Sequence, residues 1–227
     1  MGSPETLHVR DLAFAFGNGD QLFTGINLDV GKGETVVLFG GNGSGKSTLL
    51  RCIAGLLPYT DGEISIDESS ATDLRSRIGL VMQNPELQML APTVEEEIAL
   101  GLEFQGWERK QMKERVQEVM ARYSLQDLRY RAPETLSGGQ MQRVALAAIV
   151  AMQPAFLLLD EPDSLLDAPS RREFLQAVSK LGTEHGLLWA CADAARLPQA
   201  DRCYRLTNVG ALLVTREQII QGEGGVD

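Results

Sequence analysis

The sequence predicts an α/β protein whose core is interrupted by an inserted α-helical subdomain. Three observations carry this expectation. The first third alternates apolar and polar residues with period two between glycine-bearing turns. A continuous apolar run at 35–39, as in a strand covered on both faces, leads into a glycine-rich loop and then a helix. The middle third changes to helical spacing, and the last third returns to strand and helix in alternation.

Taken in order, residues 12–16 and 26–30 read as strands of an N-terminal antiparallel β subdomain, with turns at 17–19 and 31–33. The strand at 35–39 is followed by a helix from about 45 to 56, then by strands at 63–66 and 78–82. Thr93 and Glu96 form a capping-box pattern that opens a helix running to about 103. Met112, Val116, Val119, Met120 and Tyr123 recur at helical spacing, so their stripe reads as core packing. A third helix, 137–152, is apolar nearly all round. Strand 156–160, helix 170–181, strand 187–191 and short strands at 203–206 and 211–214 complete the chain. The expected organisation is one domain over 1–227, with a core of 1–83 and 153–227 and a helical subdomain at 84–152.

Twenty-one basic residues against 31 acidic ones give a net charge of −10, which argues against a protein that holds nucleic acid by its phosphates. Cys52, Cys191 and Cys203 form no close pair and lie in apolar surroundings, so they read as reduced, buried thiols. No segment approaches the ~20 apolar residues needed to span a bilayer. The longest such stretch, 144–152, suits a buried helix, and no signal peptide is evident. Work at a membrane would therefore require another chain to supply the membrane part.

Gly40, Gly41, Asn42, Gly43, Ser44, Gly45, Lys46 and Ser47 satisfy G-x-x-x-x-G-K-[ST] between a buried strand and a helix, the context that this phosphate-binding motif requires. Its glycines permit backbone conformations that aim N–H groups at phosphate oxygens, and the helix adds its positive end. Lys46 is expected to reach the β- and γ-phosphates of ATP and Ser47 to ligate Mg²⁺, with Thr48 next on the helix. The apolar strand 156–160 ends on Asp160 and Glu161. Asp160 would hold Mg²⁺, and Glu161 would polarise the attacking water.

Leu136-Ser137-Gly138-Gly139-Gln140 admits two readings. Ser137 and Gln140 have capping-box spacing, so the segment could only start a helix. A simple cap, however, would not place two glycines in the first turn, where each costs about 1 kcal/mol against alanine. Close approach of an anion to the helix N-terminus would explain them.

Together with Gln83 and Ser164-Leu165-Leu166-Asp167, these motifs occur in the order of the ABC transporter ATPases, which the chain resembles over roughly residues 7 to 206. The resemblance implies a P-loop NTPase core and a head-to-tail dimer. Each ATP would then lie between one subunit's Walker motifs and the signature Ser137, Gly138, Gly139 and Gln140 of the other. On that pattern Phe16 stacks on adenine in place of the usual tyrosine. Gln83 senses Mg²⁺ and the membrane partner, and Asp167 lies in a loop that crosses the dimer interface.

Residues 81–88 (VMQNPELQ), 91–101 (APTVEEEIALG) and 138–152 are similar to the energy-coupling factor transporter ATPases. That branch imports vitamins and cobalt or nickel ions. It pairs a second ABC ATPase subunit with a transmembrane coupling protein and a substrate-binding membrane protein. The resemblance implies a cytoplasmic chain, peripheral on the inner face of the cell membrane. It also implies that the chain lacks the extra C-terminal region many such ATPases carry. The competing readings are a soluble ABC ATPase that scaffolds cofactor assembly and a nucleotide-binding regulatory subunit. Too few residues lie between Gln83 and Ser137 for the long coiled coil of the DNA-repair relatives.

Two departures from the family pattern stand out. The strand after Walker B usually runs into Thr-His-Asp, but here Cys191-Ala192-Asp193 follows, so Ala192 holds the place of the switch histidine. Alanine can neither hydrogen-bond a phosphate nor orient water, so ATP binding is expected to survive while hydrolysis weakens. His185 is expected at the surface, roughly 23 Å away at the opposite strand end. His8, in the N-terminal strand, is expected to be structural. The second departure is Asp163, which stands where the family has threonine and adds an acid near Asp160 and Glu161.

Overall fold

A computed structural model describes residues 5–67, 74–181 and 183–222. The chain forms two compact units, one of Met1–Leu80, Ala155–Glu161 and Thr183–Asp227, the other of Val81–Pro154 and Pro162–Gly182.

The first unit opens with strands β1 (Thr6–Ala15), β2 (Gln21–Gly31) and β3 (Thr35–Phe39), then helix α1 (Lys46–Ile53) and strand β4 (Asp61–Ile66). β1 lies between β2 and β4 in a three-stranded sheet, antiparallel to both. Its inward residues Leu7, Val9 and Leu12 are fully buried, as are Phe23, Ile26 and Val30 of β2. Both strands run longer than expected from the sequence. The pairing register shifts between Val9 and Leu12, and Asp11 adopts φ 47°. Such a bulge breaks the period-two pattern at the point where the sequence reading had to begin.

His8 bears out its structural reading. Its Nδ1 lies 2.6 Å from Asp29 Oδ1 and its Nε2 2.9 Å from Asp67 Oδ1. Burial lowers its proton affinity, but the bonds to the two carboxylates outweigh this and leave the imidazole pKa raised.

After a short helix α2 (Leu74–Arg77), strands β5 (Ile78–Val81), β6 (Phe156–Asp160), β7 (Gly186–Cys191), β8 (Arg202–Thr207) and β9 (Gly210–Val214) join β3 in a second sheet. Its order is β5-β6-β7-β3-β8-β9. β6, β7, β3 and β8 run parallel, and β9 turns back antiparallel on β8. β6 and β7 are buried at every residue, which is why they read as unbroken apolar runs. The three cysteines are buried and form no disulfide among the described residues, and burial pushes the Cys52 thiol up to about 11. His185 is not at the surface: it is 5% exposed at the start of β7, and its carbonyl accepts from Gly33 N–H at 3.1 Å. The 183–185 turn packs on Gly33, where an added Cβ would lie 3.4 Å from Thr183, a long-range contact that a local reading of Glu-His-Gly does not reveal.

The second unit contains α3 (Val94–Phe104), α4 (Arg109–Arg122), α5 (Gly138–Ala151) and α6 (Ala168–Ser179). α5 packs on each of the other three, and this explains why it is apolar nearly all round. Gln142, buried within α5, donates from Nε2 to the Met82 carbonyl at 3.2 Å. Arg115 closes the C-terminus of α5 by donating to the Ala151 and Val150 carbonyls at 3.1 and 2.9 Å. Residues 162–182, which the sequence reading placed in the core together with the helix at 170–181, group with this unit. A last short helix, α7 (Arg216–Ile220), was not expected; Thr215 and Gln218 cap it reciprocally. Among the described residues, no helix is long and apolar enough to cross a membrane.

Candidate functional site

The glycine-rich loop joins the C-terminal end of β3 to α1. Gly45 occupies the N-cap of α1 at φ 95°, and a Cβ there would lie 3.1 Å from Phe23 and 3.2 Å from Leu22. Both conformation and space therefore call for glycine at this position. Among the described residues no side chain caps α1, so its first N–H groups remain available to an anion. Lys46 is 4% exposed and folds back over the loop, donating to the carbonyls of Gly40 at 2.7 Å and Gly41 at 3.0 Å. Ser44 Oγ is buried without a hydrogen-bond partner among the described residues. Asn42 and Gly43 form the exposed crest, and Thr48 is half-buried in the first turn of α1.

The acidic strand end meets this loop. Ser47 Oγ donates to Asp160 Oδ1 at 2.9 Å, and Lys46 Nζ lies 3.1 Å from Glu161 Oε1. Burial raises the Asp160 pKa, although the Ser47 bond works against it. Glu161 adopts φ 45°, a left-handed conformation uncommon outside glycine, and its N–H donates to the Ala190 carbonyl at 3.2 Å. Such conformations concentrate where a side chain must be aimed.

β7 lies between β6 and β3. Asp160 pairs with Ala190 and Phe39 with Cys191, and the Gly40 N–H donates to the Cys191 carbonyl at 3.1 Å. Ala192 thus follows directly on the strand end flanked by the phosphate loop on one side and the acidic pair on the other. Its methyl group supplies no donor or acceptor at that place. Phe16, at the end of β1, is 50% exposed and stands edge-on to Phe14 with ring centroids 5.4 Å apart.

In the second unit, Ser137 and Gln140 form the reciprocal capping box at the start of α5. The two glycines between them differ. A Cβ on Gly138 would meet nothing within 4 Å, whereas one on Gly139 would lie 2.5 Å from Ser170 Cβ. Gly138 therefore presents open backbone, while what approaches Gly139 is this chain's own α6. Gln83 is exposed and donates from Nε2 to Ser164 Oγ at 3.1 Å. Asp167 is the N-cap of α6, accepting from Ser170 N–H at 2.9 Å, and that bond lowers its pKa.

The family described as ABC transporter matches residues 23–164. The chain belongs to the ABC transporter ATPases. It is 42% identical over 188 residues to the energy-coupling factor transporter ATP-binding protein EcfA1 of Streptococcus pneumoniae, a match covering 80% of this chain and 68% of that protein. The corresponding protein of Thermotoga maritima is 40% identical over 203 residues, covering 88% and 78%. Among solved structures, cbiO1 of Clostridium perfringens, described as part of the ABC transporter complex cbiONQ, superposes with a TM-score of 0.84. It is 27% identical, and the match covers 97% of this chain and 92% of that one.

Within this ABC ATPase, the departure at Asp163 now has a structural account. Asp163 is 3% exposed and pairs with Arg171 Nε of α6 at 2.5 Å, with both residues in the second unit. Nothing in the sequence reading singled out Arg171. The i, i+8 separation crosses a loop and a helix start, so no helical or strand periodicity links the two. Among the described residues, no group of three or more His, Cys, Asp or Glu could hold a metal by itself. A hydroxyl and a carboxylate at 2.9 Å are nevertheless hard oxygen donors of the kind Mg²⁺ accepts when phosphates complete its shell.

Proposed function

We propose that this ABC ATPase powers an energy-coupling factor importer for a vitamin or a transition-metal ion, as one of two ATPases beneath a transmembrane coupling protein and a substrate-binding membrane protein. The observation that carries the reading is the convergence of Lys46, Ser47, Asp160 and Glu161 on one loop, in a chain about 40% identical to named energy-coupling factor ATPases. In this reading the loop 40–47 and Thr48 bind the triphosphate of ATP, and Phe16 stacks on adenine. Lys46 exchanges its carbonyl and carboxylate contacts for phosphate oxygens. Ser47 and Asp160 would hold Mg²⁺, which would neutralise charge on the transferring phosphate. Glu161, released by Lys46, orients the attacking water.

Ser137, Gly138, Gly139 and Gln140 serve the partner's nucleotide, the open backbone of Gly138 lying closest to it, and Asp167 sits in the loop that reaches the partner. Hydrolysis at this chain's own site is weak, because Ala192 removes the polar group that would contact the γ-phosphate and water. Loss of one contact specific to the transition state costs about 2.7–4 kcal/mol, or ~10²–10³ in rate. The productive assembly is then an asymmetric dimer, in which this chain's signature completes a histidine-bearing partner's site.

Affinity purification of the tagged chain from its native membrane tests the importer reading. It predicts recovery of a second, histidine-bearing ABC ATPase and a multispanning membrane protein in stoichiometric amounts. Recovery from the soluble fraction with neither would overturn it.

A further inference from the structure

Asp163, a buried carboxylate at the start of the loop 163–167, takes its partner from the first turns of α6. We propose that Asp163 and Arg171 are positioning residues for ATP-driven pairing, clamping loop 163–167 and the start of α6 into the shape the dimer interface requires. The proposal rests on the reading that this loop and the signature face a partner ATPase.

Four contacts inside the second unit converge on the same short stretch. Asp163 accepts from Arg171 Nε at 2.5 Å, and its carbonyl accepts from Leu166 N–H at 3.3 Å. The Asp167 carbonyl accepts from Arg171 N–H at 2.8 Å, and the Asp167 carboxylate accepts from Ser170 N–H at 2.9 Å. Arg171 therefore grips the loop at both ends, through its side chain at Asp163 and its backbone at Asp167. Ser164, within the gripped loop, accepts from Gln83 Nε2. Ser170, one residue before Arg171, fills the space over Gly139 in the signature. The first turns of α6 thus hold two segments with separate assignments in the dimer, the crossing loop and the signature helix.

A threonine at 163, as the family pattern would have it, would offer Arg171 a neutral hydroxyl in place of a carboxylate, so the ion pair is particular to the aspartate. The ion pair also differs from a general packing contact in its reach. Because the Walker residues lie in the first unit, loosening the clamp should leave nucleotide capture by the isolated chain intact and impair only association.

The test measures two quantities on Asp163→Thr, Arg171→Gln and the double variant. The first is monomer affinity for a fluorescent ATP analogue. The second is the ATP-dependent dimerisation constant from sedimentation, for the chain with itself and with its copurified ATPase partner. Monomer affinity is expected to stay within about twofold, while dimerisation weakens about 10- to 100-fold, the worth of one charge-assisted bond. The double variant removes both charges together and should pair as poorly as either single variant. If the folded double variant pairs like the wild type, the clamp serves only folding and the proposal is overturned. If the wild-type chain shows no ATP-driven pairing in either setting, the dimer reading fails and the proposal falls with it.

Discussion

At the scale of single residues, the proposed phosphate site is built from contacts that a bound nucleotide would have to replace. Lys46 is buried and satisfied by two loop carbonyls and by Glu161. An ammonium ion with so little water contact gains most from replacing these with phosphate oxygens. Lys46→Met is accordingly expected to weaken ATP binding about 10- to 100-fold in equilibrium titration, on the worth of one or two charged hydrogen bonds. These residues were legible in the sequence because the motif's spacing is dictated by a tight turn between strand and helix. Arg171 was not, since its bond to Asp163 follows from how one loop returns to α6.

His8 gives a residue-scale prediction about pH. Its folded pKa is raised above the ordinary 6.5, so its contribution to stability is complete below that value and is lost as the pH rises through the folded value. The pKa of Asp29 is shifted the other way, lowered from 3.8, because the bonds from His8 and Arg10 outweigh its burial. Its contribution is therefore present above 3.8 and is lost as the pH falls through the lowered folded value. The cluster stabilises most between the two. Urea unfolding of the wild type and His8→Gln should differ by about 0.5–1 kcal/mol at pH 6 and converge by pH 9. A gap that widens on raising the pH would contradict this.

At the scale of elements, the start of α5 bears out the capping reading and leaves open space at only one of its two glycines. Ser137 and Gln140 form a true capping box, as their spacing allowed. The glycines between them divide: Gly138 faces open space and Gly139 faces Ser170. Sequence reasoning assigned both to an approaching anion because it could not see α6. Gly139→Ala should cost about 1–3 kcal/mol in thermal or urea unfolding, the usual penalty of an overpacked site. Ser170→Gly should recover much of that loss. Gly138→Ala should leave stability almost unchanged, at about 1 kcal/mol or less in either direction, while impairing association with a partner's bound nucleotide.

The same scale explains the uneven visibility of the strands. β3 and β6 were located to the residue because burial on both faces makes their apolar runs continuous. β1 and β2 were cut short because the bulge near Asp11 disturbs their alternation, and α7 was missed because five residues give no period to detect.

At the scale of the whole molecule, the α/β class, the antiparallel N-terminal sheet and the inserted helices were all legible, since each has its own hydrophobic period. The grouping of 162–182 with the helices was not, because it depends on the long-range packing of α6 on α5. The proposed functional asymmetry belongs to this scale as well. In a mixed dimer with a histidine-bearing ATPase, Gly138→Asp in this chain should suppress most turnover, since it disables the partner's site. Lys46→Met in this chain should reduce turnover far less. Steady-state phosphate release from the two mixed dimers distinguishes them, and equal losses would contradict the assignment.

The central claim is that this ABC ATPase binds Mg·ATP at residues 40–47 but hydrolyses it slowly because Ala192 leaves no polar group at the end of β7. Single-turnover hydrolysis by the purified chain and by Ala192→His, at saturating Mg·ATP, measures this directly. The account predicts tight binding in both and a gain of about 10²–10³ in rate for the histidine variant. A wild-type chain that is already fast, with no gain from histidine, would contradict it.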